Sequence, residues 1–136
     1  MILTVLAIVG VVTSVYDGDG PIHVSTDAGN VSIRLQGIQA PDFTNAEPCK
    51  RGRAEYVCDD ARAAASRDNL SWIVGRRITC EPTGKSYKRV VAWCTVDGRD
   101  LSCAQIAAGA ATRWDKYDRE GRLLACGKRG AAHGRG

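Results

Sequence analysis

Three strand-like segments separated by short turns open the chain, and this pattern constrains the fold most strongly. Residues 9–16 are rich in Val, while residues 22–26 and 31–35 alternate apolar and polar side chains, as strands with one buried face do. The connections, 17–21 and 27–30, consist mainly of Asp, Gly, Pro and Asn, which favour turns. Because strands joined by such short turns pair antiparallel, the sequence predicts a three-stranded meander.

The rest of the chain predicts a long helix, two more strands and a short helix. Residues 53–74 are rich in Ala and contain no Pro or Gly, which favours helix, and Gly75 is the expected C-cap. The predicted elements are a loop over 42–53, a helix over 53–74, strands over 76–81 and 88–96 separated by a loop over 82–86, and a short helix over 101–108. This order matches a five-stranded Greek-key OB barrel, although the pattern alone leaves two or three α+β folds open.

One domain of ordinary size accounts for the 136 residues. We expect it to cover residues 10–129 and to be followed by a disordered tail over 130–136. The apolar start, residues 1–9, is either the remnant of a secretory signal or the beginning of the first strand. It is too short to span a bilayer, and no other segment is apolar enough to do so. We expect a monomer.

Carboxylates and an arginine near the first turns carry the chemistry. Asp17 and Asp19 flank Gly18, a spacing at which carboxylates often hold a hard cation, with ordinary turn chemistry as the alternative. Arg34 ends the third predicted strand and precedes Asp42 by eight residues. A guanidinium can hold a phosphate through two parallel hydrogen bonds, although an exposed, solvated Arg also fits the pattern. The stretch therefore suggests a cation site beside a phosphate site.

The same stretch resembles the signature of the staphylococcal nuclease, or thermonuclease, family. That signature is a D-G-D-T turn followed by R-L-x-G-I-D-A-P-E, and the chain has D-G-D-G at 17–20 and R-L-Q-G-I-Q-A-P-D at 34–42. Similar motifs follow in the same order at 87–92 and 97–101. The resemblance implies an α+β, mainly β fold, a five-stranded Greek-key OB barrel with two to three helices. It also implies Ca²⁺-dependent hydrolysis of single-stranded DNA or RNA to 5′-hydroxyl and 3′-phosphate products.

Catalytic roles fall, by this resemblance, on three residues. Arg34 and Arg89 occupy the positions of the family's two catalytic arginines, which would neutralise a phosphodiester as charge grows in the transition state. Asp42 occupies the position of a Glu that orients or deprotonates the attacking water. Because Asp is one methylene shorter, its carboxylate sits back by roughly 1–1.5 Å, and a displacement of about 1 Å can cost on the order of 100-fold in rate.

The implied Ca²⁺ ligands are Asp19, the backbone carbonyl of Ala40, and Gln39. Gln39 replaces the family's second metal-binding Asp, so the implied site has lost one negative charge, and Ca²⁺ affinity depends on ligand charge. Gly20 stands where the family has a Thr, which removes a hydroxyl. A different divalent metal is a further option, which would change the cofactor but not the reaction.

Nucleotide contacts fall, by the same resemblance, on Tyr87 and Tyr117, since aromatic faces stack on bases. A second family Tyr is Asp115 here, which would repel a phosphate, and the neighbouring Trp114 is a candidate substitute. Four departures weaken the implied site in one direction: Gly20, Gln39, Asp42 and Asp115. They keep open the alternative of an inert OB-fold module that binds nucleic acid or acidic polysaccharide. The net charge of +4 is compatible with either polyanion.

Six cysteines form no C-x-x-C pair, which argues against a zinc ribbon or a thioredoxin-like motif. We expect three disulfides in a secreted or periplasmic protein, with six reduced thiols in a cytosolic protein as the alternative. Cys80 and Cys94 lie on the two later strands, which should be antiparallel neighbours, so we expect them to pair. The other pairs considered, among fifteen possible connectivities, are Cys49 with Cys58 and Cys103 with Cys126.

Overall fold

Strands and short helices alternate along residues 6–126, the part of the chain that the computed structural model describes. The strands are β1 (Ile8–Val15), β2 (Ile22–Thr26), β3 (Gly29–Leu35), β4 (Ile38–Gln39), β5 (Arg77–Ser86), β6 (Arg89–Val96), β7 (Arg99–Asp100) and β8 (Thr112–Arg113). The helices are α1 (Glu47–Lys50), α2 (Asp60–Leu70) and α3 (Leu101–Ala107), with 3₁₀ turns at Ser71–Ile73 and Asp115–Tyr117. The tail predicted over 130–136 and the first five residues of the apolar start lie outside the described residues.

A closed barrel of five strands forms the centre of the fold. The strands β3, β2, β1, β5 and β6 pair in that order as antiparallel neighbours, and parallel pairing of β3 with β6 closes the sheet on itself. The meander β1–β2–β3 forms as predicted, with Val15 opposite Ile22 and Thr26 opposite Gly29. The α+β, mainly β class and the OB-like barrel that the sequence predicted are therefore confirmed.

Alternation along the strands places one apolar face inside the barrel. The inward side chains of the meander include Val12, Val24 and Ile33, all of them buried. Fully burying a side chain of this size contributes about 1.5–3 kcal/mol. Trp72 and Trp93 are half-buried and pack against this core.

Three disulfides tie the barrel to its outer segments. The bonded pairs are Cys49–Cys58, Cys80–Cys94 and Cys103–Cys126. All six cysteines thus pair as expected, and the central pair joins residues that face each other on β5 and β6. Such a disulfide density is typical of proteins that fold in an oxidising compartment. Within residues 6–126, no helix is long and apolar enough to cross a membrane.

The long helix begins later than predicted. The prediction over 53–74 is wrong at its start, because α2 begins only after Asp59, which caps it by accepting a hydrogen bond from the Arg62 N–H at 3.0 Å. The residues before this cap belong to the loop closed by the Cys49–Cys58 disulfide. An Ala-rich composition is only a weak preference, which such a covalent tie overrides.

Two predicted loops contain regular structure. The loop predicted over 42–53 includes α1, where Pro48 occupies a first-turn position that has no intrahelical N–H bond to lose. The loop predicted over 82–86 is the second half of β5, which continues to Ser86 through an irregularity between Pro82 and Gly84. A bulge accommodates Pro, which has no N–H for the strand ladder.

Candidate active site

A cleft of about 1100 Å³ lies between the turn after β1, the end of β3, the loop after β4 and the β5–β6 hairpin. Six of the eight residues to which the resemblance assigned a role line this cleft: Asp19, Arg34, Asp42, Tyr87, Arg89 and Tyr117. The other two, Gln39 and Ala40, lie on and directly after β4 and do not line it. The fold therefore brings the predicted catalytic and substrate-binding side chains into one cleft.

Asp19 links the first turn to two other segments of the site. Its carboxylate oxygen Oδ2 accepts a hydrogen bond from the Ala40 N–H at 2.9 Å and lies 3.4 Å from Nη2 of Arg34. Its backbone carbonyl accepts a hydrogen bond from the Leu35 N–H at 2.9 Å. Because Asp19 is only 7% exposed, this buried carboxylate positions the Arg34 guanidinium beside it.

Asp17 belongs to the D-G-D turn that the sequence singled out as a possible cation site, although the ligand set implied by the resemblance leaves it out. It is 6% exposed, and its Oδ1 accepts a hydrogen bond from the Asp19 N–H at 3.2 Å. Burial, followed by the negative charge of Asp19, raises the pKa of Asp17 to about 9. Two carboxylates in such a desolvated place repel each other, so Asp17 holds a proton at neutral pH. The D-G-D turn points to this residue, but its burial has no local signal in the sequence.

Replacing Asp17 with Asn is expected to stabilise the protein at neutral pH by about 0.5–2 kcal/mol. The pKa of Asp17 is raised from 3.8 to about 9 on folding, so ionisation costs folding free energy as the pH rises between these two values. Asn cannot ionise and avoids that loss. Urea unfolding should show equal stabilities at about pH 2.5, below both pKa values, and a more stable variant at about pH 8.

The matched control for this prediction is Asp27→Asn, because Asp27 lies in the exposed turn between β2 and β3. This control should change the free energy of unfolding by less than about 0.5 kcal/mol at either pH. A wild type that is more stable than Asp17→Asn at the higher pH would contradict the prediction, since it would mean that the ionised carboxylate has a favourable partner.

Asp42 carries the second raised pKa of the cleft. Burial and then the charge of Asp19 raise the pKa of Asp42, while the charges of Arg34 and Arg89 lower it, and the resulting value is about 6. The carboxyl group therefore lies within the electrostatic reach of both predicted catalytic arginines. A carboxylate with a pKa near neutrality is suited to accept a proton from a water molecule.

The disulfide loop, residues 49–58, is fastened beside Asp42 by two hydrogen bonds. The Asp42 N–H donates to the Val57 carbonyl at 2.7 Å, and Nε2 of Gln39 donates to the Glu55 carbonyl at 3.0 Å. A carboxylate at position 39 has no proton to donate, so the Asp that the resemblance implies could not make the second bond. The departure at Gln39 thus has a structural role in this chain, because its amide holds the disulfide loop against the cleft.

The oxygen donors around the first turn suit a hard cation. The negative charge of Asp19 raises the pKa values of Asp17 and Asp42, and a divalent cation relieves such repulsion. Of the predicted ligands, Asp19 and Ala40 are joined by a hydrogen bond from the Ala40 N–H to the Asp19 carboxylate. The side-chain amide nitrogen of Gln39 instead donates a hydrogen bond to the Glu55 carbonyl in the disulfide loop. Between residues 6 and 126, no three acidic, His or Cys side chains are grouped to hold a metal by themselves. A cation here would therefore need backbone or water oxygens as well.

Gly20 cannot be exchanged for the Thr that the resemblance implies without a change of backbone. Its φ is +119°, and a Cβ built there would lie 2.5 Å from the Ile33 carbonyl oxygen. Gly adopts this region of φ far more readily than other residues. The chain lacks a hydroxyl at this position because the turn packs too closely on β3 to leave room for a side chain.

The aromatic residues of the cleft differ in exposure. Tyr87, in the turn before β6, is 95% exposed, and Tyr117 is 47% exposed. Trp114 packs edge-on against Tyr117, with ring centroids 4.7 Å apart, and carries the Arg34 guanidinium over its ring at 5.6 Å. Tyr56 also lines the cleft, although the sequence assigned it no role, because no motif surrounds it.

No family model matches this chain, and no curated protein matches it.

Proposed function

We propose that this protein is a Ca²⁺-dependent nuclease that hydrolyses single-stranded DNA or RNA to 5′-hydroxyl and 3′-phosphate products, with a weakened metal site. The observation that carries the proposal is the convergence of Arg34, Arg89 and a carboxyl with a pKa of about 6, Asp42, on one cleft. These are the groups that phosphodiester hydrolysis needs, namely positive charge for the phosphate and a base for the water.

The two arginines account for phosphate binding in this proposal. Each guanidinium can donate two parallel hydrogen bonds to phosphate oxygens. Arg34 is preorganised, because Nη1 donates to the Leu35 carbonyl at 3.0 Å while Nη2 lies beside Asp19. Arg89 approaches from the first residue of β6. Fixed positive charge of this kind stabilises the additional negative charge of the transition state.

Asp42 supplies the base. Its carboxylate is largely ionised above its pKa of about 6, so at neutral pH it can take a proton from the attacking water. A pKa near the working pH is the most effective one for this purpose. The hydrogen bond from the Asp42 N–H to the Val57 carbonyl holds this residue in place.

The residues that would hold Ca²⁺ are Asp19, with Asp17 and Asp42 nearby, and the Ala40 carbonyl. Bound Ca²⁺ would supply positive charge to the phosphate oxygens. Gln39 could offer its amide oxygen, but its nitrogen is bonded to Glu55. The loss of one charged ligand is why we propose weak metal binding and a low rate.

A secreted or periplasmic location completes the proposal. The three disulfides support it, because disulfides persist in the periplasm and outside the cell. Extracellular nucleic acid is a polyanion that the basic groups of the cleft would attract.

The test is cleavage of single-stranded DNA with millimolar Ca²⁺ by wild type and by Arg89→Ala. We expect the variant to lose about 10²–10³-fold in rate, the usual cost of removing one transition-state donor. Arg77→Ala is the control, because Arg77 is exposed on β5 away from the cleft. The proposal fails if wild type cuts no faster than Arg89→Ala.

A binding module without catalysis is the second candidate function. The hydrogen bond from the Gln39 side chain to the Glu55 carbonyl favours this candidate. It engages a side chain that the resemblance implies as a metal ligand. This candidate predicts binding of a single strand with no turnover at any Ca²⁺ concentration. A rate that rises with Ca²⁺ and falls in Arg89→Ala would exclude it.

A further inference from the structure

A buried glutamine of α3 holds the turn between Asp17 and Asp19 from the side opposite the cleft. Gln105 is 1% exposed, and its side-chain Nε2 donates a hydrogen bond to the Gly18 carbonyl at 2.9 Å. Gly18 is the buried residue between the two carboxylates of this turn. The contact joins residues that are 87 positions apart in the chain, so the short helix after the barrel supports the turn that follows its first strand.

The hydrogen bond from Gln105 fixes one peptide plane of the turn. In a planar trans peptide, the carbonyl and the N–H of the next residue point in opposite directions. The Gly18 carbonyl points to Gln105, and the Asp19 N–H on the other side of the same plane donates to Oδ1 of Asp17 at 3.2 Å. A rotation of this plane would therefore break both hydrogen bonds.

The glycine at the centre of the turn makes an external anchor necessary. A Cβ built on Gly18 would lie 1.7 Å from Oγ of Ser66, so packing against α2 leaves room only for Gly. Gly also has the greatest backbone freedom of all residues. The turn therefore does not fix its own peptide planes, and contacts from other segments have to do so.

The side-chain amide of Gln105 is itself held in one orientation. Its Oε1 accepts a hydrogen bond from Nδ2 of Asn69 at 2.7 Å, and its Nε2 also donates to the Ser66 carbonyl at 3.1 Å. Both partners belong to α2. They determine that the nitrogen of the amide faces Gly18, so Gln105 is a preorganised donor to the turn.

Two other segments fix the remaining parts of Asp19. The Leu35 N–H donates to its backbone carbonyl at 2.9 Å, and the Ala40 N–H donates to its carboxylate at 2.9 Å. The peptide that precedes Asp19 is the part that Gln105 holds. Together, these three contacts determine where the Asp19 carboxylate lies.

We propose that Gln105 is a positioning residue that sets the Ca²⁺ affinity of the first turn by fixing the peptide between Gly18 and Asp19. The inference rests on the proposed function, since it takes Ca²⁺ as the ion that Asp19 binds. Gln105 acts through the turn and touches neither the ion nor the substrate. Removing a partner that orients a metal ligand in this way typically weakens metal binding by about 10–100-fold.

The first test examines the turn in the metal-free protein. Gln105→Met keeps the length of the side chain and removes its amide, while Asn69 is exposed and can bond to water instead. Amide hydrogen exchange measured by NMR should be about tenfold or more faster at the Asp19 N–H in this variant, because its peptide is free to rotate. The Leu35 N–H is the internal reference and should keep its protection.

The second test measures Ca²⁺ binding without turnover. Ca²⁺ alone is added while the NMR signal of the Asp19 amide is followed, and we expect Gln105→Met to bind the ion about 10–100-fold more weakly than wild type. Ser66→Ala is the matched control, because it removes a buried hydrogen bond, from Oγ to the Ala110 carbonyl, and leaves the bond from Gln105 to Gly18 in place. This control should stay within about threefold of wild type.

Four results would overturn the inference. Two of them are unchanged exchange of the Asp19 N–H in Gln105→Met and an unchanged Ca²⁺ dissociation constant in that variant. The third is a wild type whose Asp19 amide does not respond to Ca²⁺. The fourth is an equal loss of Ca²⁺ affinity in Gln105→Met and Ser66→Ala, because a general loosening of the contact between α2 and α3 would then explain the effect.

Cleavage assays separate this inference from the proposed function. At saturating Ca²⁺, we expect Gln105→Met to keep kcat within about threefold of wild type, but to need about 10–100-fold more Ca²⁺ for half of that rate. If wild type cuts the strand and both proteins bind Ca²⁺ equally, the positioning role fails and the nuclease proposal stands. If Ca²⁺ affinity depends on Gln105 but wild type cuts no strand, the nuclease proposal fails and the positioning role stands.

Discussion

Asp42→Asn is expected to lower the rate of phosphodiester cleavage by about 10²–10⁴-fold, the usual contribution of a general base. The reason is that Asn has no lone pair basic enough to take the proton of the attacking water. The wild-type rate should rise with pH through the pKa of Asp42, which is about 6 in the metal-free protein. The rate of the variant should not show this rise with pH, which is the acidic limb of the pH–rate profile. Both effects are read from kcat/KM measured across pH at fixed Ca²⁺.

The control is Asp42→Glu, which keeps the carboxylate and adds the methylene that the resemblance implies. We expect it to keep the acidic limb and to be at least about tenfold faster than Asp42→Asn, because the base is retained. The hydrogen bond that anchors residue 42 comes from its backbone N–H, so neither substitution removes it. A rate for Asp42→Asn within about twofold of wild type would rule out Asp42 as the base.

The barrel was predictable because its signals are local. Residues 22–26 alternate apolar and polar side chains, and they form β2 with both ends as predicted. The failures come from contacts between distant segments. The Cys49–Cys58 bond holds the chain before Asp59 out of the helix, and cross-strand pairing carries β5 on through Pro82. Composition cannot report either constraint, because each depends on a partner elsewhere in the chain.

The site was predictable to the extent that short motifs carry it. The D-G-D turn and the two arginine motifs pointed to Asp19, Arg34 and Arg89, and the fold gathers them at one cleft. The hydrogen bond between the Gln39 side chain and the Glu55 carbonyl was not predictable, because it joins residues from two segments with no shared motif. The burial of Asp17, which raises the pKa of its carboxyl group, likewise depends on the whole fold.

The aromatic side of the cleft shows the same limit from another direction. Trp114 was a candidate because it lies close to Tyr117 in sequence, but its other neighbour, Tyr56, comes from the disulfide loop. Tyr56 and Trp114 are too far apart in the sequence for a helix or strand periodicity to reveal that they are neighbours. Only the closed barrel, with β4 paired to β8, brings the two segments to one side of the cleft.

Arg34→Ala is expected to lower the cleavage rate by about 10²–10³-fold and also to change its pH dependence. The rate falls because one fixed donor to the phosphate is lost. The profile shifts because the Arg34 charge lowers the pKa of Asp42, so its removal should move the acidic limb to higher pH.

Arg34→Lys separates these two effects. Lys keeps the positive charge but lacks the planar fork that donates two parallel hydrogen bonds, so we expect it to lose rate while keeping the acidic limb close to the wild-type position. The measurement is kcat/KM across pH for wild type, Arg34→Lys and Arg34→Ala. If the limb moves equally in both variants, the Arg34 charge does not control Asp42. If neither variant loses rate, phosphate binding does not depend on Arg34, and Arg89 would have to carry the transition-state charge without it.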